Sequence, residues 1–226
     1  MSRTLRLDLH VHSNRSPDGR ASVEELVAAA ARGGLDGLAL TDHNTVSGHR
    51  RLAELARDRP ELRLIPGVEV STREGHLLAY GVDIPPPPHR PVAESAEWVV
   101  AHGGVPVLAH PFRWTHGVGG RVAQAARVPA LETVNGHNGR RANARATAIA
   151  ASRSLGTTGG SDAHRGEELG RAWTRFPEGS DAPDELLDAL QRGTTVADGR
   201  SLGFGGRLAV ATRSFTLRLG RGLRPI

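Results

Sequence analysis

Apolar and polar residues alternate along Thr4–His12, with Leu5, Leu7, Leu9 and Val11 on one face and Arg6, Asp8, His10 and His12 on the other. A period of two is that of a β-strand. The pattern then changes. Ser22-Val-Glu-Glu25 has the form of a capping box, in which a serine and a glutamate satisfy each other's free amides at a helix start. The apolar stripe of Val23, Leu26, Val27 and Ala30 carries that helix to Gly33-Gly34. Gly37–Thr41 predicts a short buried strand, followed by a helix to about Arg57 and a strand over Leu62–Val70. Arg73-Glu-Gly75 predicts a turn, and His76–Val82 the returning strand of a hairpin.

Asp83–Pro91 contains five prolines, which lack amide donors and fix φ, so this stretch reads as a rigid connector. Beyond it the same alternation resumes. A helix through Trp98–Val100 leads to a strand over Val105–His110. A helix near Arg121–Arg127 leads to Leu131–Val134, and a long helix over Arg141–Ser154 to a strand at Thr157–Thr158. Asp184–Arg192 is the last clear helix, with a strand over Thr194–Ala197 after it. Repeated βα alternation predicts one α/β domain over residues 1–199, and favours a barrel over an open sheet.

Composition narrows the chemistry. The 226 residues are 38% hydrophobic and 23% charged, the range of an ordinary globular domain and not of a disordered or fibrous chain. There is no cysteine, which excludes disulfides, thiolate nucleophiles and cysteine-held metals. No apolar run approaches the roughly 20 residues that span a bilayer, and the first residues lack a signal peptide's apolar stretch; the expected location is cytoplasmic. All 29 basic residues are Arg, and the formal charge is +5. Six of them, Arg200, Arg207, Arg213, Arg218, Arg221 and Arg224, follow the last acidic residue, Asp198, so residues 1–199 carry a net −1. The basic character belongs to a separate Arg-rich segment, 200–226, and net charge there is weak ground for a nucleic-acid or lipid partner.

The chemistry-bearing residues fall at strand ends. His10 and His12 share a face of the first strand, Asp42-His43 follows the second and Glu69 ends the third. His76 opens the hairpin return, His110 ends the strand after the proline connector, and Asp162 and His164 follow Thr157–Thr158. In a (β/α) barrel the carboxyl ends of parallel strands converge on one mouth. Six of the eleven histidines would then share a pocket with several carboxylates. Such a cluster is unfavourable unless positive charge compensates it, and divalent Zn, Mn or Fe suit a His and carboxylate donor set. More ligands than one ion can use imply two or three ions.

These residues lie in motifs that resemble, in order, those of the PHP family, the polymerase and histidinol phosphatase domain. The motifs are Asp8-Leu-His-Val-His12-Ser, Thr41-Asp-His-Asn44, Pro66-Gly-Val-Glu69, Gly75-His-Leu-Leu78, Ala109-His-Pro111 and Gly160-Ser-Asp-Ala-His164. The resemblance covers residues 5–165 and implies an α/β fold, a distorted (β/α)7 TIM-like barrel with the metal site at the C-terminal mouth of its strands. It implies that His10, His12, Glu69 and Asp162 bind one ion, Glu69, His76 and His110 a second, and Asp18, His43 and His164 a third. Ser16-Pro-Asp18-Gly19 departs from the family's loop in its intervening proline. Asp8 and Asp42 are expected to orient the neighbouring histidines by hydrogen bonding.

Hydroxide held between two divalent ions is a nucleophile at neutral pH, and the ions neutralise charge on a phosphoryl group. The expected function is therefore metal-dependent hydrolysis of a small phosphomonoester or nucleotide. Arg113, first, and Arg165 are candidate phosphate contacts because a guanidinium can bind two phosphate oxygens. Asn135, Arg140 and Arg141 are candidate substrate contacts, and His137 a candidate general acid for the leaving group. The resemblance also allows hydrolysis of a carbamate or carboxylic ester at the same site. A nucleic-acid-processing, exonuclease-like module is the third reading, supported only by the Arg-rich segment. Oligomeric state is not legible in the sequence.

Overall fold

The computed structural model describes residues 4–201, so the Arg-rich segment lies outside the described residues apart from Arg200 and Ser201. Among the described residues, nine strands form one sheet: β1 Leu5–Val11, β2 Gly37–Leu40, β3 Arg63–Ser71, β4 His76–Tyr80, β5 Val105–Leu108, β6 Ala130–Asn135, β7 Gly156–Gly160, β8 Ala172–Phe176 and β9 Val196–Gly199. In the same residues six α-helices connect them: α1 Val23–Arg32, α2 His49–Asp58, α3 Val92–Ala101, α4 Gly119–Ala125, α5 Arg140–Ser152 and α6 Pro183–Gln191. The sheet order is β7-β6-β5-β4-β3-β2-β1-β8-β9. β1 to β3 are parallel, as are β5 to β7, while β4 runs antiparallel to both its neighbours.

The sheet curls until its ends meet. Asp162 N–H donates to His10 O at 2.8 Å and His12 N–H to Ala163 O at 2.8 Å, joining the chain just beyond β7 to β1. Gly160 permits the contact, because a Cβ there would lie 2.3 Å from Cβ of His10. The result is the expected barrel, with β8 and β9 added as antiparallel strands at the seam. Ala172–Phe176 was not legible as a strand, and the final strand lies slightly later than the pattern suggested.

Alternation along the strands sorts the core into layers. Leu7, Leu9, Ile65, Leu78, Tyr80 and Val107 pack inside with Leu186 and Leu190 of α6. On the outside, Val68, Val70, Leu77 and Leu108 pack against α3 and α4, and Val11, Leu38 and Leu40 against α1 and α2. Glu69 therefore points inward between two outward valines. Val11 departs from the simple alternation: a register shift between Asp8 and Val11 inserts an extra residue opposite β2 and sends it outward, away from Leu9. The proline connector is pinned to the β3–β4 hairpin through His89 N–H to Ser71 O and Arg73 N–H to Arg90 O, at 2.6 and 2.9 Å.

Candidate metal centre

Five imidazoles converge on one buried carboxylate. Oε2 of Glu69 lies 3.2 Å from Nε2 of His10, 3.2 Å from Nε2 of His12 and 3.3 Å from Nδ1 of His43. Its Oε1 accepts from Nδ1 of His76 at 2.7 Å and Nε2 of His110 at 2.9 Å. Asp162 Oδ1 is 3.5 Å from Nε2 of His12 and 3.8 Å from Nε2 of His10. Asp18 Oδ2 sits 3.0 Å from Nε2 of His164 and 3.5 Å from Nε2 of His43. All nine residues expected as ligands are thus gathered in one cluster at the mouth of the barrel.

The donor set fits divalent ions. Nε2 of His10 and His12 and Nδ1 of His43 are buried, make no hydrogen bond and flank Oε2 of Glu69. Several triads, among them His10, His12 and Glu69, and His12, Asp18 and His43, offer ligand atoms within 4.8 Å of one another. Polar atoms without a hydrogen bond in a dry pocket are costly, and a cation is the partner that imidazole and carboxylate share.

The electrostatics reflect this crowding. Burial would raise the Glu69 carboxyl, but His76 and His10 hold it well below the usual carboxylate range. Asp162 is held low against burial by Arg113 and His10, and Asp18 by His164 and His43. Against its own burial, His12 is raised to about 10 by Asp162 and Glu69. His43 and His110 are lowered, chiefly by burial. His110 and Asp162 both have left-handed backbones, φ 25° and 57°. Amide hydrogen bonds hold them there, His110 N–H to Glu132 Oε2 at 2.7 Å and Asp162 N–H to His10 O at 2.8 Å.

The aspartates expected to orient histidine rings touch none. Asp8 accepts from the amides of Ser161, Gly170 and His10 at 2.8, 2.9 and 3.3 Å, tying the loops after β7 and before β8 to β1. Asp42 accepts from the amide and hydroxyl of Ser13, both at 2.7 Å. Each carboxylate is taken up by backbone or hydroxyl donors, and burial raises both, Asp8 to about 6.

The ring-orienting carboxylate is Glu132, which the sequence reading missed. Its Oε1 bonds Nδ1 of His10 at 2.9 Å, while Asn135 Nδ2 donates to both its oxygens at 3.2 Å. A charged residue within the otherwise uncharged stretch Ala130–Asn135 was the available signal. Ser16 was also missed: its hydroxyl bonds Asp18 at 3.0 Å and accepts from the His43 amide at 3.1 Å, bringing the Asp18 loop to β2.

The remaining candidates divide. Arg113 reaches the cluster, with NH1 2.5 Å from Asp162 Oδ2. Asn135 is also in it but is engaged with the protein, donating to Asp162 at 3.1 Å as well as to Glu132. Arg140 and Arg141 are exposed in the first turn of α5, and Arg165 is half-exposed beside Glu167. His137 is buried, with Arg113 NH2 3.4 Å from its Nδ1, and burial lowers it to about 3. Burial thus favours the neutral form of this ring. His116, given no role from the sequence, stacks on His76 with centroids 4.7 Å apart.

Comparison with known proteins agrees with this architecture. The model of the PHP domain matches residues 8–126, and that of a PHP-associated region residues 140–195. The chain belongs to the PHP domain family. A phosphoribosyl 1,2-cyclic phosphate 1,2-diphosphodiesterase of Eggerthella lenta is 38% identical over 82 residues, 34% of this chain and 30% of that protein. A 5'-3' exoribonuclease of Haemophilus influenzae is 43% identical over 84 residues, 35% of this chain and 30% of that protein. The alignments thus span under a third of either curated relative. In fold, this PHP protein is similar to a solved Bifidobacterium adolescentis protein described as a metal-dependent phosphoesterase, with a TM-score of 0.65 and 19% identity, over 92% of this chain and 100% of that one.

Proposed function

We propose that this PHP protein is a metal-dependent phosphoesterase that hydrolyses a small phosphomonoester or nucleotide. The observation that carries the reading is the convergence of His10, His12, His43, His76 and His110 on the two oxygens of Glu69. His10, His12, Glu69 and Asp162 would hold one ion, Glu69, His76 and His110 a second, and Asp18, His43 and His164 a third. Divalent ions there would lower the pKa of water and neutralise charge on a phosphoryl group. Glu69, with both oxygens directed at imidazoles, would serve two ions at once. Glu132 fixes the ring of His10 so that Nε2 faces the cluster. Arg113, already within the cluster and one-fifth exposed, supplies a forked cation for phosphate oxygens as its contact with Asp162 is exchanged. Relatives named as a diphosphodiesterase and an exoribonuclease support phosphoester chemistry.

Protein purified without chelators is expected to carry two or three equivalents of Zn, Mn or Fe. It should release phosphate from p-nitrophenyl phosphate and a panel of nucleotides, and lose that activity on chelation. Bound metal without phosphate release would shift the reading to carbamate or carboxylic ester hydrolysis.

A further inference from the structure

Trp114 is fully exposed, whereas the other exposed large apolar side chains among the described residues stay about half covered, Ile84 at 53%, Val100 at 54% and Val196 at 47%. An indole left wholly in water forgoes the stabilisation that burial of an aromatic ring gives. It is nevertheless displayed by a built segment. Arg113 N–H donates to His110 O and Gly119 N–H to Pro111 O, both at 2.9 Å, and His76 N–H donates to His116 O at 3.0 Å. Gly117 packs so closely under the turn that a Cβ would lie 2.5 Å from Arg113 O.

Both ends of this short segment touch the cluster. Arg113, immediately before Trp114, contacts Asp162 at 2.5 Å, and His116, two residues after it, stacks on His76 with an interplanar angle of 15°. Trp114 is therefore carried on the segment that borders the cluster, one residue along the chain from the guanidinium proposed to take phosphate. A ligand that meets both groups carries a phosphate at one end and a flat π-system at the other. We infer that Trp114 is a stacking platform for the base of a nucleoside phosphate, so that the substrate class is a nucleotide and not an aliphatic phosphomonoester. The inference deepens the phosphoesterase reading and rests on it. Stacking on an indole tolerates any base, because every base has a π-face.

The test compares adenosine 5'-monophosphate with glycerol phosphate on metal-loaded wild type, W114F and W114A, with thermal melts to confirm folding. The wild type should prefer the nucleotide, and W114A should reduce that preference, as a ratio of kcat/KM, by about tenfold or more, chiefly through KM. W114F should keep most of it. In parallel, adenosine 5'-monophosphate should quench tryptophan emission of the wild type and leave that of W114F unchanged. An unaltered preference in W114A, or equal quenching in both proteins, overturns the assignment. If neither ester is hydrolysed, the phosphoesterase reading fails, and the quenching comparison alone decides whether Trp114 binds a base.

Discussion

Oε1 of Glu132 lies 2.9 Å from Nδ1 of His10, although the two residues are 122 positions apart. The same carboxylate accepts from the His110 amide at 2.7 Å, so one buried group sets both a ring and a strand end beside Glu69. Replacing it with Gln keeps the shape but weakens the acceptor. E132Q is expected to fold and to bind Zn or Mn about 10–100-fold more weakly by calorimetric titration. E132A, which leaves buried donors unpaired, should lose about 3–5 kcal/mol of stability in urea unfolding.

His10→Ala and Asp162→Asn remove donors from the cluster without touching the apolar layers. Both should retain a native circular dichroism spectrum, bind fewer equivalents of metal by elemental analysis, and lose phosphate release by a factor of about 100 or more. Normal turnover in either variant would refute the assignment of these residues.

The ion-free protein should depend on pH at both ends. His12 is raised from 6.5 to about 10 in the fold, so its contribution to stability is fully present below 6.5 and is lost as pH rises through about 10. Glu69 and Asp162 are lowered, so theirs is present above the ordinary carboxylate values and is lost as pH falls through their depressed ones. Chelated protein melted across this range should be most stable between those limits. Metal must displace the His12 proton, so affinity should rise about tenfold per pH unit for each proton released. Titrations in two buffers of different ionisation enthalpy measure that number.

At the seam of the barrel, Gly160→Ala would place a methyl 2.3 Å from Cβ of His10 and 2.7 Å from its backbone nitrogen. Strand β7 would have to move from β1, taking Asp162 from His12. A loss of about 1–3 kcal/mol in unfolding experiments is expected, with fewer equivalents of metal bound.

The sequence by itself determined the alternation of strands and helices and the strand-end positions of eight of the nine candidate ligands, the ninth, Asp18, being given by the motif resemblance. These are local properties, set by a period of two or of 3.6 and by turn residues, and the motifs around them are contiguous. Only the tertiary structure showed which side chains share atoms. Asp8 and Asp42 lie within two residues of histidines in sequence, yet no imidazole meets them: their oxygens are taken by amides and a hydroxyl, most of them from other segments brought close by the fold. Glu132 stands in a stretch with no histidine and reaches His10 only when the barrel closes. The outward turn of Val11 likewise depends on an extra residue inserted against β2, which no single strand's pattern encodes. His137 was a candidate from its type and position, but that it is buried beside Arg113 is seen only in the folded chain. Hydrogen-bond partners and charge states depend on what crosses the barrel, and that is fixed by closure, not by the neighbours along the chain.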